Sequence, residues 1–185
     1  MAGIRLATTK DAQQILDIYT PYIENTTITF EYDVPTLEEF AERINDVLEN
    51  FPYLVYEDKN GSILGYAYAH YYGERAAYNW TVEVSIYLSE NASGKGIGTK
   101  LYRSLEEELT KQKVINIVAC VTEENIGSIR FHEKLGFKNI GTFEKVGYKF
   151  NKWLDVVWFE KVINNRSTYI GVIIPYSELQ KKTYY

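Results

Sequence analysis

The chain has 185 residues, 45% of them hydrophobic and 24% charged, with a formal net charge of -5. That mix sets aside disorder and fibrous repeats, and the length suits one domain with a core of its own. No apolar run reaches the ~18 residues of a membrane-crossing helix, the acidic balance weighs against nucleic acid as the main partner, and Cys120, His70 and His132 show no zinc-ligand spacing.

The start, Met1-Ala2-Gly3-Ile4-Arg5, has no apolar stretch behind a basic head, and one cysteine makes no internal disulfide. Both suit a reducing cytoplasm and no membrane. Ile4-Arg5-Leu6-Ala7 alternates and predicts a first strand. Thr8 or Thr9 can cap the helix that follows, where Ile15, Ile18, Tyr19 and Tyr22 recur at helical spacing. Residues 25–32, rich in Thr and aromatics, predict an extended loop over a cleft. Thr36-Leu37-Glu38-Glu39, after Pro35, has the form of a capping box. It opens a helix with Leu37, Phe40, Ile44, Val47 and Leu48 on its apolar side, and Pro52 stops it.

Residues 53–57 and 62–71 read as strands joined through an Asn60-Gly61 turn. Residues 80–88 alternate as a further strand. A glycine-rich loop then leads into a helix from about Ile97 to Gln112, with Leu101, Leu105 and Leu109 on one face and Glu107 spaced to pair with Lys111. Residues 114–121 are almost continuously apolar, as in a strand covered on both faces. Residues 125–135 give another helix, stopped by Gly136. Residues 137–143 and 153–161 predict two closing strands. The order β-α-α-β-β-β-α-β-α-β-β is an α/β (α+β) arrangement, a mixed sheet with helices on its faces. Residues 1–163 form the domain. In the tail, 164–185, the period is lost, and residues 169–175 are open between an added strand, an interface arm and a disordered end. The 17 tyrosines suit half-buried strands, clefts and interfaces.

Ser93-Gly94-Lys95-Gly96-Ile97-Gly98-Thr99 lies between a strand and a helix. A helix start has free N–H groups and a partial positive charge, and glycine lets backbone approach a bulky anion without a Cβ clash. The segment therefore predicts a pyrophosphate cradle rather than a plain flexible loop. Spacing excludes two nucleotide motifs. A Rossmann GxGxxG would need glycine where Thr99 stands, and the P-loop register GxxxxGK[ST] is absent.

Together with Asn125-Ile126-Gly127-Ser128-Ile129-Arg130-Phe131-His132-Glu133-Lys134-Leu135-Gly136-Phe137, this loop resembles the GNAT superfamily of N-acetyltransferases. There, a Q/R-x-x-G-x-G/A loop and an N-x-x-[AS]-x-x-x-Y-x-x-x-G-F helix hold acetyl-coenzyme A. Ser93 departs from the usual Gln or Arg. Residues 25–30, 75–87 and 146–155 are similar to the phosphinothricin and L-methionine sulfoximine N-acetyltransferase group, and the resemblance runs from about residue 4 to residue 162. It implies a mixed sheet of about seven strands with about four helices, acetyl-coenzyme A as cofactor, a small amino-acid-like amine as substrate, and a homodimer.

Amine acetylation needs a base for the amine, a donor for the developing oxyanion and an acid for the leaving thiolate. Glu83, a carboxylate in a strand rich in Val, Ile and Tyr, is the expected base, and the resemblance also places the group's base there, acting through water. Alternation puts it on the polar face of that strand, so an outward-facing glutamate is the competing interpretation. The resemblance places His132 where the family commonly has the Tyr that protonates the thiolate. It also implies that Asn125 and Ser128 bond the pantetheine arm or thiol region, although Asn125 can equally cap a helix. The backbone of Val84, Ser85, Ile86, Tyr87 and Leu88 is expected to pair with pantetheine amides like an added strand. Ser93, Gly94, Lys95, Gly96, Ile97, Gly98 and Thr99 then take the pyrophosphate. For an acidic group on the substrate, Arg75, Lys149 and Lys152 are candidate cations, and Phe30, Tyr78 and Trp80 are candidate walls. Surface charge or core packing is the alternative for each. No metal is expected. Tyr148, Phe150 and Trp153, as exposed aromatics, add to the expectation of a dimer. Two other functions compete: acetylation of a protein or peptide N-terminus, and a non-catalytic acyl-coenzyme A-binding module.

Overall fold

The structure, a computed structural model, describes residues 2–92, 94–166 and 171–182. Seven strands form one sheet: β1 (Gly3–Leu6), β2 (Tyr53–Glu57), β3 (Ile63–Tyr71), β4 (Thr81–Leu88), β5 (Asn116–Thr122), β6 (Lys138–Lys149) and β7 (Lys152–Val162). Their spatial order is β1-β2-β3-β4-β5-β7-β6. Every neighbouring pair is antiparallel except β4 and β5, which run parallel. The helices are α1 (Ala12–Asn25), α2 (Leu37–Asn50), α3 (Ile97–Lys111), α4 (Ile126–Lys134) and α5 (Tyr176–Lys182). None of the described helices is long and apolar enough to cross a membrane.

Strand alternation feeds two cores. Leu54, Ala67, Val82, Val84, Ile117 and Phe159 face α3, which buries Leu101, Tyr102, Leu105 and Leu109 against them. Tyr53, Val55 and Tyr66 point the other way, toward Ile15, Tyr19 and Ile23 of α1 and Phe40 and Ile44 of α2. Much of the tyrosine content sits in this second core. The Tyr87 ring lies 4.9 Å from Tyr19, 5.1 Å from Tyr22 and 5.4 Å from Tyr66. Tyr53 and Tyr68 stack at 4.9 Å. Tyrosine fits here because its ring fills the core while its hydroxyl finds a partner at the edge. Burial pushes the Tyr53, Tyr66 and Tyr87 hydroxyls far above their ordinary pKa, so they stay neutral.

Local signals account for the helix ends. Thr36 Oγ1 accepts from the Glu39 N–H at 3.2 Å, and the Glu39 carboxylate accepts from the Thr36 N–H at 2.8 Å, closing the capping box. At the end of α4, Gly136 adopts φ 89°, and the N–H groups of Gly136 and Phe137 return to the carbonyls of Glu133 and His132. At the end of α3 the same geometry recurs around Lys113, at φ 68°, with Lys113 and Val114 bonded back to Thr110 and Leu109. Lys111 pairs with Glu108 at 2.6 Å, not with the expected Glu107.

The described structure extends or alters the sequence expectations at two places. β6 runs on to Lys149, so residues 138–162 form one long hairpin. Its turn residues, Phe150 at φ 50° and Asn151 at φ 60°, are both left-handed, a turn that glycine usually announces. The tail carries a fifth helix. Of the candidate strand at 169–175, residues 169 and 170 lie outside the described residues, and residues 171–175 run irregularly into α5. They follow the bottom of the domain. Trp80 Nε1 donates to the Gly171 carbonyl at 2.9 Å, the buried Gln112 donates to the carbonyls of Asn50 and Ile174 at 2.8 Å, and the Tyr176 hydroxyl donates to Glu108 at 3.1 Å.

Lys113 is exposed and holds a left-handed backbone that glycine adopts at no steric cost. Lys113→Gly should raise the unfolding free energy by about 0.5–1 kcal/mol, read as a higher urea midpoint at unchanged slope. A lower midpoint would mean that the lysine stem stabilises more than the turn costs.

Candidate active site

The parallel pairing of β4 with β5 covers Thr81 to Asn116, Val82 to Ile117 and Glu83 to Val118, and then stops. Both strands continue. β4 remains paired with β3 as far as Leu88 opposite Gly65, and β5 remains paired with β7 as far as Thr122 opposite Val156. The sheet therefore opens between them. The resulting cleft, about 660 Å³, is walled by residues 83–90 on one side and 119–122 on the other, with α4 and residues 28–30 over it. Its β4 wall is an unpaired main-chain edge, able to bond an extended ligand as a further strand would. Tyr22 ends that edge, its hydroxyl donating to the Leu88 carbonyl at 2.6 Å.

At one end of the cleft stands the glycine loop. Gly94 and Gly96 hold φ 74° and 73°, and a Cβ at either would meet nothing within 4 Å. Glycine is needed there for backbone conformation, not for room. Gly96 is the N-cap of α3, and the first helical bond runs from the Lys100 N–H to the Gly96 carbonyl at 3.1 Å. The N–H groups of Ile97, Gly98 and Thr99 therefore have no carbonyl one turn earlier in the helix. No acidic side chain occupies the first turn of α3. These features suit a diphosphate, held by main-chain donors and the helix dipole. At Gly98 a Cβ would stand 3.4 Å from Leu88 and 3.5 Å from Phe131, ordinary contact distances, so the structure accommodates a small side chain there. Lys95 and Thr99 are exposed, Ile97 is buried in the larger core, and Ser93 lies outside the described residues.

α4 crosses the cleft. Asn125 caps it, Oδ1 accepting from the Ser128 N–H at 3.1 Å, and still lines the cleft beside Ser128. His132, one turn further, is 7% exposed, stacks on Phe159 and lies edge-on to Phe131 and Phe137. Its Nδ1 lies 2.8 Å from the Ser128 carbonyl, an acceptor, so Nδ1 carries the proton and Nε2 is the remaining acceptor. Burial lowers the imidazole pKa, against the opposing pull of that carbonyl. A ring so placed is neutral at neutral pH, which makes it a better hydrogen-bond acceptor than a stored acid.

Glu83 sits at the fork, on the last residue pair before the strands part. Its neighbours Val82 and Val84 point into the larger core, so Glu83 points to the opposite face. That face is the cleft, not open solvent. Cys120, on β5, donates its thiol to Glu83 Oε1 at 3.3 Å. Cys120 is an exposed residue, yet the protein packed around its sulfur, with the Glu83 charge second, pushes the thiol up to about 12.

The loop over the cleft is tied down rather than loose. Tyr19 bonds Thr29 at 2.6 Å and Glu31 at 3.0 Å, Arg43 grips Glu31 at 2.8 Å, and the Tyr32 hydroxyl reaches the Tyr148 carbonyl. Lys149, 2% exposed, donates to the carbonyls of Ile23 and Thr29 at 2.7 and 2.8 Å. Desolvation lowers its pKa. Its ammonium is committed to the fold and does not line the cleft, nor does that of Lys152, which pairs with Glu124 at 2.5 Å. Arg75, Tyr78 and Trp80 also stand outside the cleft lining. The first two are exposed, and Trp80 bonds the tail. Phe30 lines it, as do Glu83, Val84, Ser85, Ile86, Tyr87, Leu88, Gly94, Gly98, Asn125, Ser128 and His132. Tyr22, Thr29, Cys120 and Thr122 line it as well and were not singled out by sequence reasoning. Cys120 and Thr122 stand two apart on β5, beside the apolar residues 117–119 and 121, and that alternation was the available signal.

Residues 4–158 match the model of the acetyltransferase (GNAT) domain. The chain is 33% identical over 161 residues to a phosphinothricin N-acetyltransferase of Streptomyces coelicolor, spanning 85% of this chain and 94% of that one. It is 34% identical over 160 residues to an L-methionine sulfoximine/L-methionine sulfone acetyltransferase of Pseudomonas aeruginosa, spanning 86% and 93%. The crystal structure of a phosphinothricin acetyltransferase from Sinorhizobium meliloti in complex with AcCoA superposes with a TM-score of 0.89 at 33% identity, over 95% of this chain and 97% of that one.

With a thiol held near 12, about one Cys120 in 10⁴ is ionised at pH 8, against roughly a quarter of free cysteine. The thiolate is the reactive form, so the chain's one cysteine should react with an aromatic disulfide reagent about 10³-fold more slowly than free cysteine, and at the free rate in denaturant. Fast reaction in the folded state would show that the carboxylate and the packing do not suppress ionisation.

Proposed function

The chain belongs to the GNAT acetyltransferase family, and we propose that it acetylates the amino group of a small amino-acid-like substrate of the phosphinothricin or methionine sulfoximine type. One observation carries the assignment. An unpaired main-chain edge runs along β4 between the glycine-lined start of α3 and a carboxylate at the fork of the sheet. Acetyl-coenzyme A, the acetyl donor of this family, fits that layout, with donors for the diphosphate at Ile97, Gly98 and Thr99 and a strand edge for the amides of its arm. Bound there, it supplies an acetyl group activated as a thioester.

The residues of the chain do the rest. Glu83 takes the amine proton, directly or through one water, at the point where the strands diverge. The β4 edge presents main-chain N–H groups to the oxygen on which charge develops. His132, with Nδ1 on the Ser128 carbonyl, presents an acceptor nitrogen to the cleft, and proton delivery to the departing sulfur falls to water. Thr29 and Phe30 close the acceptor side, held by Tyr19 and Lys149, and exclude bulk water from it. The protein works in the reducing cytoplasm, which its single thiol suits. It acts as a homodimer. The hairpin of β6 and β7 exposes Ile140, Phe143, Val146, Tyr148, Phe150 and Trp153, each more than 40% exposed, along the edge strand of the sheet. Such an edge is ordinarily covered.

Purified protein mixed with acetyl-coenzyme A and a panel of amines should release free thiol with phosphinothricin, methionine sulfoximine or a close analogue. Turnover confined to peptide N-termini, or cofactor binding without any turnover, would overturn the assignment. Glu83→Gln should lower kcat by about 10²-fold or more at unchanged cofactor affinity. Gly96→Ala forces a left-handed alanine, costs about 1 kcal/mol in the bound-state loop, and should weaken cofactor binding roughly fivefold. In sedimentation, the chain should run at twice its 21.5 kDa mass, and a monomer at micromolar concentration would remove the dimer.

A further inference from the structure

We propose that Cys120 is a positioning residue for Glu83, its thiol holding the carboxylate of β4 from β5 across the fork where the two strands part. The inference rests on Glu83 being the base. The last bonded pair of the two strands is Glu83 with Val118, and Cys120 stands two residues further along β5 on one face of the strand. Beyond this pair no ladder joins the strands, so the thiol-to-carboxylate bond at 3.3 Å is a side-chain link at the start of the cleft. The Cys120 backbone is well fixed. Ala119 and Val121 are buried in the core on the other face, and Trp158 of β7 pairs with Cys120 itself.

Other polar groups face Glu83 without bonding it among the described residues. His70 of β3 is its paired neighbour, but its Nδ1 lies against the Tyr71 carbonyl at 3.0 Å. Tyr68 of β3 feels the Glu83 charge together with those of Glu31 and Arg43, and bonds Ser85. The thiol is therefore the donor that fixes the carboxylate, and its chemistry suits that role. Held near 12, it stays protonated through the working pH range and is always a donor. An S–H donor is weak and uncharged, so it orients a carboxylate without the ion pairing of a lysine or arginine.

The test compares Cys120→Ala, Cys120→Ser, Glu83→Gln and the Glu83→Gln/Cys120→Ala double variant with the parent by steady-state kinetics. Cys120→Ala should lower kcat about three- to tenfold and leave KM for acetyl-coenzyme A unchanged. Cys120→Ser, which keeps a donor, should restore most of kcat. In the Glu83→Gln background the alanine substitution should have no further effect. A kcat for Cys120→Ala equal to the parent's, or the same fractional loss with and without the Glu83 carboxylate, overturns the inference while the base assignment stands. If Glu83→Gln itself leaves kcat unchanged, the base assignment falls, and the inference with it. If the alanine variant fails to fold, the serine variant decides, since a loss of rate as large as that of Glu83→Gln would contradict a donor role.

Discussion

Two neighbouring parallel strands cannot stop bonding to each other without leaving N–H and C=O groups that need some other partner. In this chain the break falls after Glu83 and Val118, in the middle of a seven-stranded sheet. A gap there persists because each strand is held firmly on its far side. β4 is bonded to β3 through Leu88, and β5 to β7 through Thr122. The open edge is left with main-chain groups able to bond an extended partner. The glycine loop, the cap of α4 and the carboxylate at the fork all take their meaning from that gap.

The gap also explains why a charged residue can sit in a strand covered on both faces. Glu83 alternates with Val82 and Val84, which are fully or almost fully buried under α3. On the opposite face, Ser85 and Tyr87 follow it toward α1. Tyr87 enters the tyrosine cluster, while Ser85 and Glu83 border the cleft. One strand thus changes from core to site by the two-residue period of its side chains. The tyrosines extend the same compromise, with rings buried and hydroxyls used locally. The Tyr22 hydroxyl, for instance, closes the end of the β4 edge.

Elements whose ends are marked by side-chain chemistry were legible in the sequence: the capping box at Thr36, the glycine after α4, and the Asn60-Gly61 turn, where Gly61 holds φ 84°. The glycine loop was legible for the same reason, because left-handed positions at Gly94 and Gly96 leave a compositional trace. The long hairpin was not, since its turn uses Phe150 and Asn151 at positive φ and its first strand carries an irregularity between Phe143 and Gly147. α5 was hidden because it is set by long-range contacts rather than by a strong period of its own: Tyr176 bonds Glu108, and the residues just before it, Gly171 and Ile174, bond Trp80 and Gln112. Of the cleft, the glycine loop at its end was legible as backbone geometry. Which of several cations faces the cleft was not, because long-range packing decides it. Lys149 is drawn to two carbonyls 120 and 126 residues away in sequence, a choice that no local pattern records.

That lysine links the hairpin to the loop over the cleft. Burying an ammonium is expensive unless it is hydrogen-bonded, and Lys149 makes two such bonds, to the Ile23 carbonyl near the end of α1 and to the Thr29 carbonyl. Thr29 in turn bonds Tyr19, whose ring packs on Tyr87 of β4. Gly147 completes the contact, since a Cβ there would overlap the Phe30 ring at 2.2 Å. The acceptor wall is therefore fixed from two sides, by the hairpin and by the same strand that carries Glu83. The carboxylate of Glu83 and this wall stand at a separation set by packing rather than by loop closure, which is a preorganised arrangement.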